Sequence, residues 1–233
     1  ARVCVSLLAQ PAALDAAAAT GLEQGAGQVP GMWIGVWDPD KGVHLAAYGD
    51  AVADSVPASV EDAGRIGSIT KTFTATAVLQ QVAAGTLSLN DTVADLLPDL
   101  ADEVPAIADI TVEQLLAMKS GIPEYEYTVL PQVLANPTEL VDLRGIIVET
   151  VNGGIEPAGT ASYSTTNYLI LGEMLSEVTG QPVEDVLNEL ATEAGLTTTA
   201  LPVDDDFEMP DPSSAGYVNE LAVEGLQAEG FDI

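Results

Sequence analysis

Positive charge is what this 233-residue sequence has least of: six Lys and Arg stand against 36 Asp and Glu, for a formal net charge of −30. Arg2, Lys41, Arg65, Lys71, Lys119 and Arg144 are scattered singly. A phosphate-binding surface needs Arg and Lys in clusters, so nucleic acid is excluded as a partner, and an anionic membrane surface repels the chain for the same reason. Histidine and cysteine occur once each, as His44 and Cys4. One of each cannot build a zinc site, no intrachain disulfide can form, and a Ser-His-Asp triad is disfavoured, the more so because no Gly-x-Ser-x-Gly elbow occurs. His44 sits in an apolar run and reads as a structural residue, not a base. No stretch approaches the roughly 20 apolar residues of a membrane-spanning helix.

High net charge can signal disorder, but here 47% of residues are hydrophobic and fall in periodic segments. The acidity therefore reads as a surface adapted to high salt. The opening "ARVCVSLLAQ" is either the remnant of an export signal, which would place the protein outside the cell or in its envelope, or a strand or helix lead-in. Residues 11–24 are Ala-rich and helix-prone, and the glycines of "GAGQVPG" (25–31) make a turn, not a dinucleotide fingerprint, since no strand precedes them. "MWIGVWD" (32–38) and "VHLAAYGDAV" (43–52) are strands joined by the turn sequence "PDKG". Residues 68–85 have Ile69, Phe73, Ala77 and Gln80 at helical spacing before a closing Gly.

From residue 90 to about 195 the pattern is helical almost throughout. Thr111 and Gln114 form a capping box and Gly121 closes that helix. Segments 139–151, 167–180 and 182–195 each carry an apolar face. "DDDFEMPD" (204–211) lacks the Gly-centred spacing of a calcium loop and reads as a solvated acidic loop.

Against this background one lysine stands out. In "RIGSITKTF" (65–73), Ser68 and Lys71 are three residues apart, so in a helix they share a face. A serine hydroxyl is a poor nucleophile until a base takes its proton or a cation stabilises the alkoxide, and a helix mouth adds partial positive charge. Ser-x-x-Lys alone is a weak match, raised here by the scarcity of lysine. A second candidate is Tyr163 in "SYSTTNY" (162–168). A phenol next to a cation can serve as a general base; otherwise it is a tyrosine packed at a helix start with its hydroxyl satisfied.

Taken together, "RIGSITKTFTATAVLQQVAAGTLSLNDTVADLLPDL", "ITVEQLLAMKSGIPEY" and "YSTTNYLILGEMLSEVTG" resemble three successive signature segments of the serine penicillin-recognising hydrolases, among them class C β-lactamases, D-alanyl-D-alanine carboxypeptidases and their esterase and aminopeptidase relatives. The resemblance covers about residues 25–217. It implies an α+β fold, a mainly antiparallel sheet flanked by helices (residues 1–83 and about 215–233) with an all-helical subdomain (84–214). It implies that Ser68 is acylated, that Lys71 shares its proton, and that Tyr163 activates the serine and protonates the leaving group. The backbone N–H of Ser68 would be one oxyanion donor, the second lying on a later strand. No cofactor and no metal are expected, and the substrate is a small molecule or peptide.

Two departures stand out. Thr165 occupies the third position of the Tyr-x-Asn pattern: its hydroxyl can hold Lys71 but offers no amide donor to a substrate acyl group. The third motif, Lys-Thr-Gly or His-x-Gly, is absent, since no lysine follows Lys119 and no histidine follows His44. The C-terminal strands of such a fold lie past residue 233, which makes the sequence a fragment or cleaved product, or leaves the sheet to be completed by a second chain. Tyr125 and Tyr127 in "PEYEYT" either overhang the cleft or pack within their loop. Besides a serine hydrolase, a non-catalytic ligand-binding relative and a purely structural acidic protein remain open.

The charge imbalance yields a direct test. Screening contracts to about 3 Å near 1 M salt, so the thermal unfolding midpoint should rise steadily as NaCl is raised from dilute buffer to about 1 M. A flat or falling midpoint would remove salt adaptation as the meaning of the acidity.

Overall fold

A computed structural model describes residues 11–25, 28–125, 129, 133, 139–203, 206, 208–217 and 227–228. Cys4, Tyr127 and, within the 204–211 stretch, Asp204, Asp205 and Phe207 lie outside the described residues. The chain divides into two compact units, Ala1–Arg65 with Glu208–Phe231 and Ile66–Phe207 with Asp232–Ile233.

The first unit is built on a hairpin. Strand β1 (Gly31–Asp38) pairs antiparallel with β2 (Gly42–Val52), from Gly31 opposite Gly49 to Asp38 opposite Gly42. At the turn, the Asp38 carboxylate accepts the N–H groups of Asp40 at 2.9 Å and Lys41 at 3.0 Å, and Gly42 takes a positive φ of 85° that a side chain would strain. Successive side chains alternate between faces. Met32, Ile34 and Val36, with His44, Ala46 and Tyr48 opposite them, form the face toward helix α1 (Pro11–Gln24). There the Tyr48 hydroxyl donates to Asp15 of α1 and His44 Nε2 lies 3.7 Å from the same carboxylate. The other face carries Trp33, Trp37, Val43 and Leu45, the last three 72%, 65% and 59% exposed. A third strand absent from the sequence reading, β3 (Val56–Pro57), pairs with β2. Two residues, one of them a proline of the kind tolerated at a sheet edge, carry no periodic signal. Residues 212–217 return to this unit, with Ala215 N–H donating to Ala51 O at 2.9 Å and the Tyr217 hydroxyl accepting from Ala53 N–H at 2.7 Å.

The second unit is helical. A 3₁₀ turn over Gly67–Ile69 runs into α2 (Thr70–Ala84), which stops at Gly85 with φ 76°. Then come α3 (Val93–Leu96), α4 (Pro98–Glu103), a 3₁₀ turn over Pro105–Ile107, and α5 (Val112–Leu116). Further along the described residues are α6 (Leu143–Asn152), α7 (Thr166–Thr179) and α8 (Val183–Glu193). Val78, Leu100, Ile107, Leu115, Ile147, Ile170, Leu171, Met174 and Leu175 are fully buried in one cluster. Arg144 of α6 reaches Glu103 on α4 at 3.2 Å and Glu173 on α7 at 3.4 Å.

Several expectations shift. The boundary between the units falls at residues 65/66, not 83, because α2 packs on α7 and α8. Its buried face is Thr74, Ala77 and Val78; Ile69 is 59% exposed because the tighter 3₁₀ turn changes the helical phase ahead of Thr70, and Gln80, within α2 itself, is exposed off that face. The Thr111–Gln114 capping box is present, but α5 ends at Leu116, five residues before Gly121. The 139–151 segment starts its helix only at Leu143, because Asp142 caps it by accepting Gly145 N–H at 3.0 Å. No described helix is long and apolar enough to cross a membrane.

Leu171 lies fully buried in α7, and Leu79 stands half exposed on α2. Leu171→Ala should cost about 2–5 kcal/mol of unfolding free energy and Leu79→Ala about 0.5 kcal/mol or less, as read by urea denaturation. Equal costs would contradict this placement of the core.

Candidate active site

Ser68 and Lys71 are brought together by local geometry alone. Ser68 lies in the 3₁₀ turn and Lys71 at the second position of α2, so the lysine stem folds back along the same face and Nζ donates to Ser68 Oγ at 3.0 Å. Ser68 is exposed and Lys71 half-buried.

Tyr163 arrives from a segment 95 residues away, and its hydroxyl donates to the same Ser68 Oγ at 2.7 Å. The Lys71 ammonium lies 4.9 Å from the centre of the Tyr163 ring and 6.0 Å from that of Tyr168, distances at which a cation is attracted to an aromatic face. The hydrogen bond from Lys71, followed by that from Ser68, holds the Tyr163 phenol below its ordinary value of 10.0, while its slight burial pushes the other way. Tyr168, anchored by donation from its hydroxyl to Leu116 O at 3.2 Å, is pushed up by burial and then by the neighbouring Tyr163.

The backbone that delivers Tyr163 is interlocked with residues 118–124. Ser162 N–H donates to Met118 O at 2.9 Å, Gly159 N–H to Lys119 O at 2.8 Å and Glu156 N–H to Gly121 O at 2.9 Å. Gly121 has φ 81°, and a Cβ there would stand 1.9 Å from Glu156 O, so only glycine permits this approach. On the far side of Tyr163, the Ser164 and Thr166 hydroxyls both donate to Pro123 O, at 2.9 and 2.8 Å. Buried beneath them, Ser120 Oγ donates to Asn167 Oδ1 at 2.5 Å and accepts Ile122 N–H at 3.0 Å, while Asn167 Nδ2 donates to Ser164 O at 3.2 Å. With the polypeptide fixed on both sides, the Tyr163 side chain is left 57% exposed and turned to Ser68.

The other sequence candidates fall as follows. The Thr165 hydroxyl, expected to hold Lys71, donates instead to Glu124 Oε2 at 2.8 Å, and Thr165 N–H donates to the same oxygen at 2.7 Å. Tyr125 follows Glu124 and its N–H donates to Glu124 Oε1 at 2.9 Å; Tyr127 is outside the described residues. Glu124 and Tyr168 were missed by sequence reasoning. One carboxylate among 36 carries no signal, and Tyr168 read as part of an apolar helix face. Among the described residues no three His, Cys, Asp or Glu side chains converge as a metal ion requires. The arrangement can strip a proton from a serine, stabilise the resulting oxygen anion, and return the proton to a leaving group.

Comparison with known proteins identifies the family. A family model described as Beta-lactamase matches residues 14–228. Penicillin-binding protein 4 of Amycolatopsis lactamdurans is 32% identical over 174 residues, 72% of this chain and 44% of that protein. Among solved structures, a D-stereospecific amidohydrolase from Streptomyces sp. superposes with a TM-score of 0.68 at 30% identity, over 81% of this chain and 56% of the other. The D-amino acid amidase from Ochrobactrum anthropi SV3, complexed with L-phenylalanine, does so with a TM-score of 0.68 at 26% identity, over 84% and 55%. The chain thus spans about half the length of the proteins it matches, or less.

Because Lys71 is the main cause of the lowered Tyr163 phenol, Lys71→Ala should move the Tyr163 titration up toward the ordinary value of 10.0. Ultraviolet difference titration against Tyr163→Phe reads this phenol alone. An unmoved midpoint would mean that the ammonium does not act on it.

Proposed function

The chain belongs to the Beta-lactamase family, and from that premise we propose that it is a serine hydrolase working through an acyl-enzyme on Ser68. The observation that carries the reading is the double contact to Ser68 Oγ, from Lys71 at 3.0 Å and Tyr163 at 2.7 Å. In the reactive form Tyr163 is a phenolate, and the 2.7 Å contact runs in the opposite sense, from the serine hydroxyl to the phenolate oxygen. As Oγ attacks a substrate carbonyl, its proton passes to Tyr163 and the Lys71 ammonium stabilises the oxygen that is losing it. The backbone N–H of Ser68 supplies one donor to the carbonyl oxygen as it becomes an anion. Tyr163 then gives its proton to the departing amine or alkoxide, leaving an ester on Ser68 that water hydrolyses.

For the substrate, we propose D-alanyl-D-alanine peptides or β-lactams, as the similarity to a penicillin-binding protein suggests. A second reading, amides or esters of D-amino acids, is favoured by Thr165. Its hydroxyl and N–H are both engaged by Glu124, so this position presents no amide donor to a peptide-like acyl chain. The similarity to a D-stereospecific amidohydrolase and a D-amino acid amidase supports the same alternative.

A fluorescent penicillin and a fluorophosphonate should each label the protein, and labelling should vanish in Ser68→Ala. Lys71→Ala should slow acylation by roughly 10³-fold or more without loss of helical circular dichroism. Release of D-alanine from a D-Ala-D-Ala peptide against release of ammonia from D-phenylalanine amide separates the two substrate readings. No labelling by either probe at any salt concentration would overturn the hydrolase and favour a ligand-binding relative.

A further inference from the structure

We propose that Tyr168 is a positioning residue for Lys71, its neutral ring forming a wall against which the ammonium is held beside Ser68. What this means for catalysis rests on the acyl-enzyme reading above. Lysine carries its charge on a flexible four-carbon stem, so the three-residue spacing from Ser68 fixes the face of α2 that Lys71 leaves from but not where its charge comes to rest. In the structure Nζ donates to Ser68 Oγ at 3.0 Å and lies 4.9 Å from the centre of the Tyr163 ring and 6.0 Å from that of Tyr168. Ser68 and Tyr163 both exchange protons in the proposed reaction. Of these three contacts, only Tyr168 takes no part in proton transfer.

Tyr168 is itself held at both ends. It stands in the first turn of α7 directly after Thr166 and Asn167, both fully buried, and its N–H donates to Thr165 O at 2.9 Å. Its hydroxyl donates to Leu116 O at 3.2 Å, at the end of α5, where carbonyls lack an intrahelical partner. Backbone and hydroxyl are thus tied to different helices, and the ring between them is a fixed surface. A cation is attracted to an aromatic face out to about 6 Å from its centre, which makes Tyr168 a modest restraint on Nζ, added to the hydrogen bond to Ser68. The two phenols near this ammonium are driven in opposite directions. Lys71 first and then Ser68 hold Tyr163 below 10.0, whereas burial first and then Tyr163 hold Tyr168 above it. Tyr163 can therefore ionise while Tyr168 stays neutral. A second phenolate would compete with Tyr163 for the same ammonium; a neutral ring does not.

The test varies the electron density of the ring while keeping its size. Tyr168→Phe, which gives up the tie to Leu116, is the reference, and mono-, di- and trifluorinated phenylalanine at the same position then withdraw electrons from the ring face stepwise. Two quantities are read: the Tyr163 midpoint, by ultraviolet difference titration against Tyr163→Phe in each background, and the rate of labelling by a fluorophosphonate. With each added fluorine the midpoint should rise toward 10.0 and labelling should slow. Tyr168→Leu, apolar but without a ring, should lie at the end of the series, labelling about 2- to 5-fold more slowly than Tyr168→Phe. In a Lys71→Ala background none of these substitutions should move the Tyr163 midpoint, because the ring acts only through the ammonium. Overturning results are a midpoint and a rate that do not change with fluorine number, equal rates in Tyr168→Phe and Tyr168→Leu, or a midpoint shift that survives in Lys71→Ala. Should Tyr168→Leu fail to melt cooperatively, the fluorinated series decides alone. Absence of labelling in the unsubstituted protein with the titration trend intact would defeat the hydrolase reading and leave the Tyr168–Lys71 contact standing; normal labelling with no trend in either quantity would do the reverse.

Discussion

A single oxygen organises the site. Ser68 Oγ receives an ammonium hydrogen at 3.0 Å and a phenol hydrogen at 2.7 Å, and the remaining arrangement of the helical unit can be understood as what keeps those two donors pointed at it. In a chain with net charge −30, this ammonium belongs to a half-buried lysine and lies near two aromatic rings, 4.9 and 6.0 Å from their centres. Aromatic faces attract the cation, while its hydrogens serve the Ser68 oxygen and the Tyr163 phenol.

The two donors are secured by different physics. Lys71 depends on helix geometry, the three-residue spacing that places side chains on one face. Tyr163 depends on tertiary hydrogen bonds: backbone pairs between 156–162 and 118–121, then Pro123, Glu124 and Ser120 taking up the polar groups of Ser164, Thr165, Thr166 and Asn167. Buried polar groups that are fully satisfied specify one arrangement strongly, since any alternative leaves a donor or acceptor unpaired.

These two kinds of support also explain what the sequence revealed. Ser68 and Lys71 were legible because their relation is local and lysine is rare; the hairpin was legible from its two apolar runs and its turn. The capping box of α5 was equally plain, but the end of that helix was not, because Gly121 signals a left-handed residue without saying whether a helix precedes it. Its actual reason is the approach of Glu156, a contact across 35 residues that no window of sequence contains. Glu124 was invisible for the same reason: its role exists only once Thr165 has been brought to it. The exposed Ile69 shows a subtler limit, since a 3₁₀ turn of three residues is enough to rotate the apolar stripe predicted from a continuous helix.

Tyr163 reaches Ser68 only through contacts that span dozens of residues, whereas Ser68 and Lys71 meet within one helical turn. During synthesis, then, the serine and lysine can come together long before the phenol does. An incompletely formed chain would carry Ser68 beside Lys71 without the phenol that makes the second contact to the serine oxygen. The double contact to Ser68 Oγ is therefore complete only once the long-range hydrogen bonds of the helical unit have formed.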